Sequence, residues 1–295
     1  MTSPPVRTAL VTGAGGQLGL ALQATVPRGW RVIPCDHRQL DVTNDAQVHH
    51  AIGRERPGLV VNAAAYTAVD AAESEPQRAA AVNTAGAANV ARAARETGAR
   101  LIHLSTDFVF DGCQGRPYDP NDPTNPLGVY GRTKLEGEHE VARIAEGDAV
   151  ILRSAWIYGI HGKNFALTML RLMREKESVR VVADQVGTPT WDRGLADSIW
   201  GIAERSDMRG VHHWTPAGVA SWYDFAVALQ EEALALGILE RAVPVRPIRT
   251  VEYPTPAARP SYSVLDKSVT WAALGQTPVH WRAHLRLMLQ ALSRG

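Results

Sequence analysis

The feature that most constrains this chain is a short apolar run, Val6 to Thr12, which ends in Gly13-Ala-Gly-Gly-Gln-Leu-Gly19 and passes directly into the helix-compatible Leu20-Ala-Leu-Gln-Ala. Strand, glycine turn and helix in that order open a parallel α/β unit. Further β-type runs at Arg31–Cys35, Leu59–Asn62, Leu101–Leu104 and Val150–Leu152 alternate with alanine-rich or charged stretches of helical composition. Parallel strands need crossover helices, so the pattern predicts an α/β fold with a doubly wound, Rossmann-type sheet. After residue 155 the alternation loosens. Asn164–Glu175 and Trp222–Leu236 read as amphipathic helices, the second stopped by Gly237, and Arg180–Ala183 and Val211–Trp214 as short strands. The proline-bearing stretch Val243 to Pro260 reads as extended or loop backbone. The expected division is a dinucleotide-binding Rossmann domain over 1–155. Residues 156–295 are expected to form mainly a smaller, discontinuous substrate-binding lobe, with some segments returning to the first domain.

The glycines at 13, 16 and 19 suit a tight turn, close approach of backbone to a pyrophosphate, and close helix–strand packing, with helix N–H groups facing the anion. An ordinary turn would explain the glycines alone, but Asp36 closes the second strand 20 residues after Gly16, the separation at which an acidic side chain reaches an adenosine ribose. Asp36 favours NAD, whereas Arg38 suits a 2′-phosphate and admits NADP, so both cofactors stay open. The anion site has to be local. With 31 Lys and Arg against 30 Asp and Glu, the net charge of +1 gives no general field for nucleic acid or anionic lipid. No apolar stretch approaches the ~18–20 residues of a membrane span, and the start of the chain, Met1 to Arg7, carries no signal-like pattern. Two cysteines, Cys35 and Cys113, make neither a disulfide scaffold nor a zinc site, which fits a cytoplasmic protein.

Tyr130-Gly-Arg-Thr-Lys134 puts a phenol and an ammonium on one helix face, one turn apart. The cation is expected to favour the phenolate and make Tyr130 a usable acid near neutrality, while Lys134 also holds ribose hydroxyls. Thr106, just beyond the fourth predicted strand, stands where parallel sheets bind ligands and is placed to donate to a carbonyl undergoing reduction.

Together these stretches resemble the extended short-chain dehydrogenase/reductase superfamily. Asn62-Ala-Ala-Ala-Tyr-Thr-Ala-Val-Asp70, Ser105-Thr-Asp-Phe-Val-Phe-Asp-Gly112, Arg153-Ser-Ala-Trp-Ile-Tyr158, Asp184-Gln-Val-Gly-Thr-Pro-Thr190 and Pro256-Ala-Ala-Arg-Pro260 are similar to dTDP-4-dehydrorhamnose reductases, nearly from end to end. The resemblance implies a catalytic triad of Thr106, Tyr130 and Lys134. It implies dinucleotide contacts at Gly13, Gly16, Gln17, Leu18, Asp36, Asp41, Val42, Ala65, Tyr66 and Thr67, and sugar contacts at Thr106, Asp107, Tyr130 and Trp156. Arg259 is expected to hold nucleotide phosphates. The implied reaction is NADPH- or NADH-dependent reduction of a dTDP-4-keto-6-deoxy sugar, with neither nucleic acid nor membrane as partner and a homodimer left open. Members with a magnesium-bridged dimer carry carboxylates where this chain has Ala21 and Arg193, so no metal is expected. Two other readings stand beside this one: a sister 4-ketoreductase of the dihydrostreptose or 6-deoxytalose type, and a noncatalytic subunit similar to the methionine adenosyltransferase β subunit.

Overall fold

The structure, a computed structural model, describes residues 6–294. The expectation about a signal segment therefore falls almost wholly outside the described residues. Strands β1 (Arg7–Thr12), β2 (Trp30–Cys35), β3 (Leu59–Asn62), β4 (Arg100–Thr106) and β5 (Ala149–Ser154) carry the apolar runs of the first half. β3, β5 and nearly all of β4 are buried along their length, as expected for strands covered on both faces, where no polar alternation is required. Short pieces follow: β6 (Ile157–Tyr158), β7 (Val179–Val182), β8 (Val186–Gly187), β9 (Thr190–Trp191), β10 (Gly210–His213), β11 (Ala220–Ser221) and β12 (Val245–Ile248). The helices are α1 (Gln17–Ala24), α2 (Asp45–Glu55), α3 (Val69–Ser74), α4 (Pro76–Ala80), α5 (Ala87–Thr97), α6 (Val129–Ile144), α7 (Phe165–Glu175), α8 (Asp192–Ala203), α9 (Trp222–Ala235), α10 (Ser268–Leu274) and α11 (Trp281–Leu292), with a π-helical turn at Ala81–Gly86.

The main sheet is six-stranded, ordered β10-β5-β4-β3-β1-β2, with every pairing parallel. One face is covered by α1 and α8, through Leu18, Leu22, Leu195 and Ile199, and the other by α2, α5 and α6, through Val48, Ile52, Val90 and Val141. The chain leaves β1 in one direction towards β2 and in the other towards β3, so a crevice opens beyond the carboxyl ends of these strands. A separate core, built on Met169, Leu170, Phe225, Leu229, Leu285 and Met288, joins α7, α9 and α11 beside the paired β7 and β12.

Two details differ from expectation. β4 runs two residues further than Leu101–Leu104, because β3 pairs along its start and β5 pairs as far as Thr106 and Ser154; Thr106 is therefore the last residue of the strand and not part of a loop. The strand expected at Val211–Trp214 forms one residue earlier as β10, pairs with β5 and completes the main sheet from the second half of the chain. The Arg100 guanidinium holds this return in place, donating to the carbonyls of Ile202 (2.7 Å) and Met208 (3.0 Å) on the segment leading into β10.

Candidate active site

The glycine turn is shaped by contact. Gly13 has φ +65°, and a Cβ there would lie 2.8 Å from the backbone of Ala63 and Ala64; at Gly19 it would lie 2.5 Å from Ala14 Cα and Gly13 O. Only glycine lets β1, β3 and α1 approach this closely. Gly16 caps α1 without a side-chain partner, and the first turn holds no carboxylate, so the helix N–H groups remain free to meet an anion. The side chain of Gln17 accepts from Asn164 Nδ2 (2.9 Å), tying the turn to the second half of the chain.

The crevice is a cleft of about 1130 Å³, enough for a dinucleotide with a second ligand, and every residue expected to act in catalysis or to touch cofactor or sugar lines it. Gly13, Gly16, Gln17 and Leu18 form one wall. Asp36, Arg38, Asp41 and Val42 lie at the β2 end, and Ala65, Tyr66 and Thr67 follow β3. Asp36 Oδ1 accepts from the backbone N–H of Arg38 and Gln39 (2.9 and 3.0 Å), while the exposed Arg38 guanidinium has no ion-pair partner among the described residues. Tyr66 N–H donates to Asn83 Oδ1 (2.8 Å) from the π-helical turn, and Asn83 in turn reaches Thr133 Oγ1 on α6 (3.1 Å). This second contact fixes the loop after β3 to the helix that carries Tyr130.

At the other end, the Thr106 hydroxyl donates to Asp107 Oδ1 (3.1 Å) and accepts from Phe108 N–H (3.2 Å). Tyr130 and Lys134 project from α6 into the same space. Their electrostatics correct the expectation. Burial pushes the Tyr130 phenol up to about 12, with the Asp107 charge adding to the rise and a Thr106 hydrogen bond opposing it. Lys134 does not touch the phenol: its Nζ donates to the Leu104 carbonyl (2.5 Å), and burial pulls it down to about 8 against the raising influence of Glu138. Removing a group from water outweighs a cation that faces elsewhere, so Tyr130 rests as a protonated acid. Burial also pushes Asp107 up to about 7, and its Oδ2 has no hydrogen-bond partner among the described residues.

Trp156 lines the cleft with its backbone in the left-handed region at φ +48°. Its ring stacks on Trp222 at 3.6 Å and 4°, and a Cβ on Gly187 would meet it at 2.6 Å. A non-glycine residue holds such a backbone only where its surroundings impose it. Arg259 also lines the cleft, but its guanidinium is held two-pronged by Asp70 (3.1 and 2.8 Å) and does not stand free for a phosphate. Ala21 is packed in the core and Arg193 is exposed on α8.

Sequence reasoning missed the buried pair that braces this site. Arg153 on β5 donates to both carboxylate oxygens of Glu138 (2.9 and 2.6 Å), and Ser105 on β4 donates to the same group. Glu138 lies one turn after Lys134, and this spacing was the available signal. Ser154 at the end of β5 was also missed, although it directly follows Arg153 within a quoted motif.

A family model described as the RmlD substrate binding domain matches residues 7–294. A dTDP-4-dehydrorhamnose reductase of Streptomyces griseus is 43% identical over 289 residues, covering 96% of this chain and 93% of its own. A dTDP-4-keto-6-deoxy-D-glucose reductase of Streptomyces niveus is 41% identical over 281 residues, covering 94% of each. The crystal structure of a dTDP-4-dehydrorhamnose reductase from Bacillus anthracis str. Ames in complex with NADP has a TM-score of 0.91 at 35% identity, covering 97% of this chain and 99% of that one.

Proposed function

The chain belongs to the dTDP-4-dehydrorhamnose reductase family, and from that membership we propose that it reduces the C4 ketone of dTDP-4-dehydro-L-rhamnose to dTDP-L-rhamnose, using NADPH or NADH. The observation that carries this reading is the meeting of Thr106, Tyr130 and Lys134 with a glycine cradle in one cleft. The cradle fits a dinucleotide because Gly13 and Gly19 let the turn close tightly against β3 and α1, and the α1 N-terminus beside it is free of acidic side chains. In this reading the turn holds the pyrophosphate, Asp36 or Arg38 the adenosine ribose, Asp41 and Val42 the adenine, and Lys134 the second ribose. When bound, the reduced nicotinamide supplies a hydride to C4.

The protein's own part is to place and protonate the ketone. Tyr130 donates to the carbonyl oxygen, Thr106 joins it by turning its hydroxyl from Asp107 Oδ1 to that oxygen, and charge gathering there is neutralised by the Tyr130 proton. Because the phenol is buried and protonated at neutral pH, the proton remains on its oxygen until an alkoxide forms. The Lys134 ammonium, held on the Leu104 carbonyl, then offsets the phenolate left behind through its field and not by direct contact. Asp107 and Trp156 bound the sugar, and Arg259, paired with Asp70, lines the cleft. A cytoplasmic location belongs to the same reading and is supported by two free cysteines. Among the described residues, no helix is long and apolar enough to cross a membrane. A homodimer is the assembly carried with this reading, and sedimentation of the purified chain checks it.

The test is to mix purified protein, NADPH and the 4-keto-6-deoxy-L-sugar nucleotide and to follow the loss of reduced nicotinamide. Tyr130→Phe should lower turnover by at least about 100-fold, and undiminished turnover would overturn the assignment. A second reading, a sister reductase of another dTDP-deoxysugar, is favoured by the 41% identity to the dTDP-4-keto-6-deoxy-D-glucose reductase. NMR of the product's C4 configuration separates the two. A noncatalytic subunit would bind NADPH without reducing any of these ketones, and the presence of all three triad residues argues against it.

A further inference from the structure

Ser154 takes no part in the proton transfer. It is the last residue of β5, is 3% exposed and lines the cleft, and its Oγ has no hydrogen-bond partner among the described residues. A buried hydroxyl left unpaired is costly in a folded protein, so one facing a cleft marks a place for a ligand atom. Its position says which ligand. Thr106 and Ser154 are register partners on adjacent parallel strands, so their side chains leave the same face of the sheet about 5 Å apart. Thr106 is already engaged as donor and acceptor, whereas Ser154 has both capacities free. The β1 and β2 end of the cleft carries the glycine turn and Asp36, which leaves the β4 and β5 end to the reactive ring.

Nicotinamide is an apolar ring except for its carboxamide, which needs hydrogen-bond partners once it is shut away from water. The other unpaired buried oxygen facing the cleft, Asp107 Oδ2, is taken by the sugar in the reading above. We propose that Ser154 Oγ binds the carboxamide of the nicotinamide and thereby fixes which face of the ring is turned to the substrate. A ring turned over about its glycosidic bond would carry the carboxamide away from β5 and lose this contact. The inference rests on the cleft being a nicotinamide-dependent reductase site.

The experiment titrates wild type, Ser154→Ala and Ser154→Thr with NADPH and, separately, with 2′-phospho-ADP-ribose, which lacks the nicotinamide ring, following tryptophan fluorescence and calorimetric heat. Ser154→Ala should weaken NADPH about five- to tenfold, leave the ring-free fragment unchanged, and melt no lower than wild type. Ser154→Thr, which keeps the hydroxyl, should restore most of the NADPH affinity. Equal weakening of both ligands, or no weakening of NADPH, would overturn the inference while wild-type binding leaves the reductase reading intact. A wild type that binds no NADPH would overturn both.

Discussion

Asp107→Asn should make the protein more stable and less active, and the gain in stability should grow with pH. In the folded chain burial moves the Asp107 carboxyl from 3.8 to about 7. Above pH 7 the folded state must hold an ion that would rather be in water. The native state therefore keeps a proton that the unfolded chain has already lost between these two values, and stability falls as pH rises through that window. A rise of roughly three units, at about 1.4 kcal/mol each, amounts to about 4 kcal/mol as an upper figure. Asparagine is close in shape, carries no charge, and its carbonyl still accepts from Thr106. The assay is thermal unfolding of both proteins at pH 5 and pH 8. At pH 8 the variant should melt higher, by about 1.5–2 °C for each kcal/mol realised. At pH 5 most of the difference should disappear, because wild-type Asp107 is then protonated. Turnover should fall in the same variant if, as proposed, the orphaned Oδ2 meets the sugar. A melting difference that does not change between the two pH values, or an asparagine variant less stable at pH 8, would refute the argument that burial dominates this carboxyl.

Glu138→Gln should cost about 3–5 kcal/mol, because it leaves the Arg153 charge buried without its partner; replacing both residues with leucine and methionine should recover much of that loss in chemical denaturation. Gly187→Ala would drive a methyl group into the Trp156 ring, which cannot retreat from Trp222, so KM for the sugar nucleotide should rise about tenfold or more while NADPH affinity stays within about twofold. An unchanged KM would show that Trp156 does not shape the sugar site. Arg38→Ala should weaken NADPH about tenfold and leave NADH unaltered if the free guanidinium takes the 2′-phosphate; equal effects on both would assign that ribose to Asp36 alone.

Local patterns in the sequence carried far. β3 forms at Leu59–Asn62 as its valine-rich run predicts, and the glycine turn follows β1 because packing and backbone strain act within a few residues there. The residues named from motifs all lie along one cleft. What escaped depends on distant partners. The two-pronged contact of Arg259 with Asp70 joins positions 189 residues apart, and no local pattern announces it. The ionisation of Tyr130 turned on burial and on where Lys134 points, which spacing along a helix does not reveal. Thr106 was placed just beyond the strand it ends, because the end of a strand is decided by its neighbour's register, not by its own composition. Ser154 went unremarked for a related reason: a serine becomes notable only when everything around it is already paired.

The strand that closes the sheet from the far half of the chain has a consequence for how the protein is made. β5 is buried along its whole length, and until Gly210–His213 leave the ribosome it is an unprotected apolar edge. Such an edge invites pairing with another nascent chain. The Arg100 clasp cannot form before then either, because its acceptors at Ile202 and Met208 come late. A fragment ending at residue 155 would contain the glycine turn and the triad and still lack what seals the strand beneath them. The triad is thus complete in the growing chain before the strand that shields β5 exists, and a truncation at that point would expose the gap as aggregation.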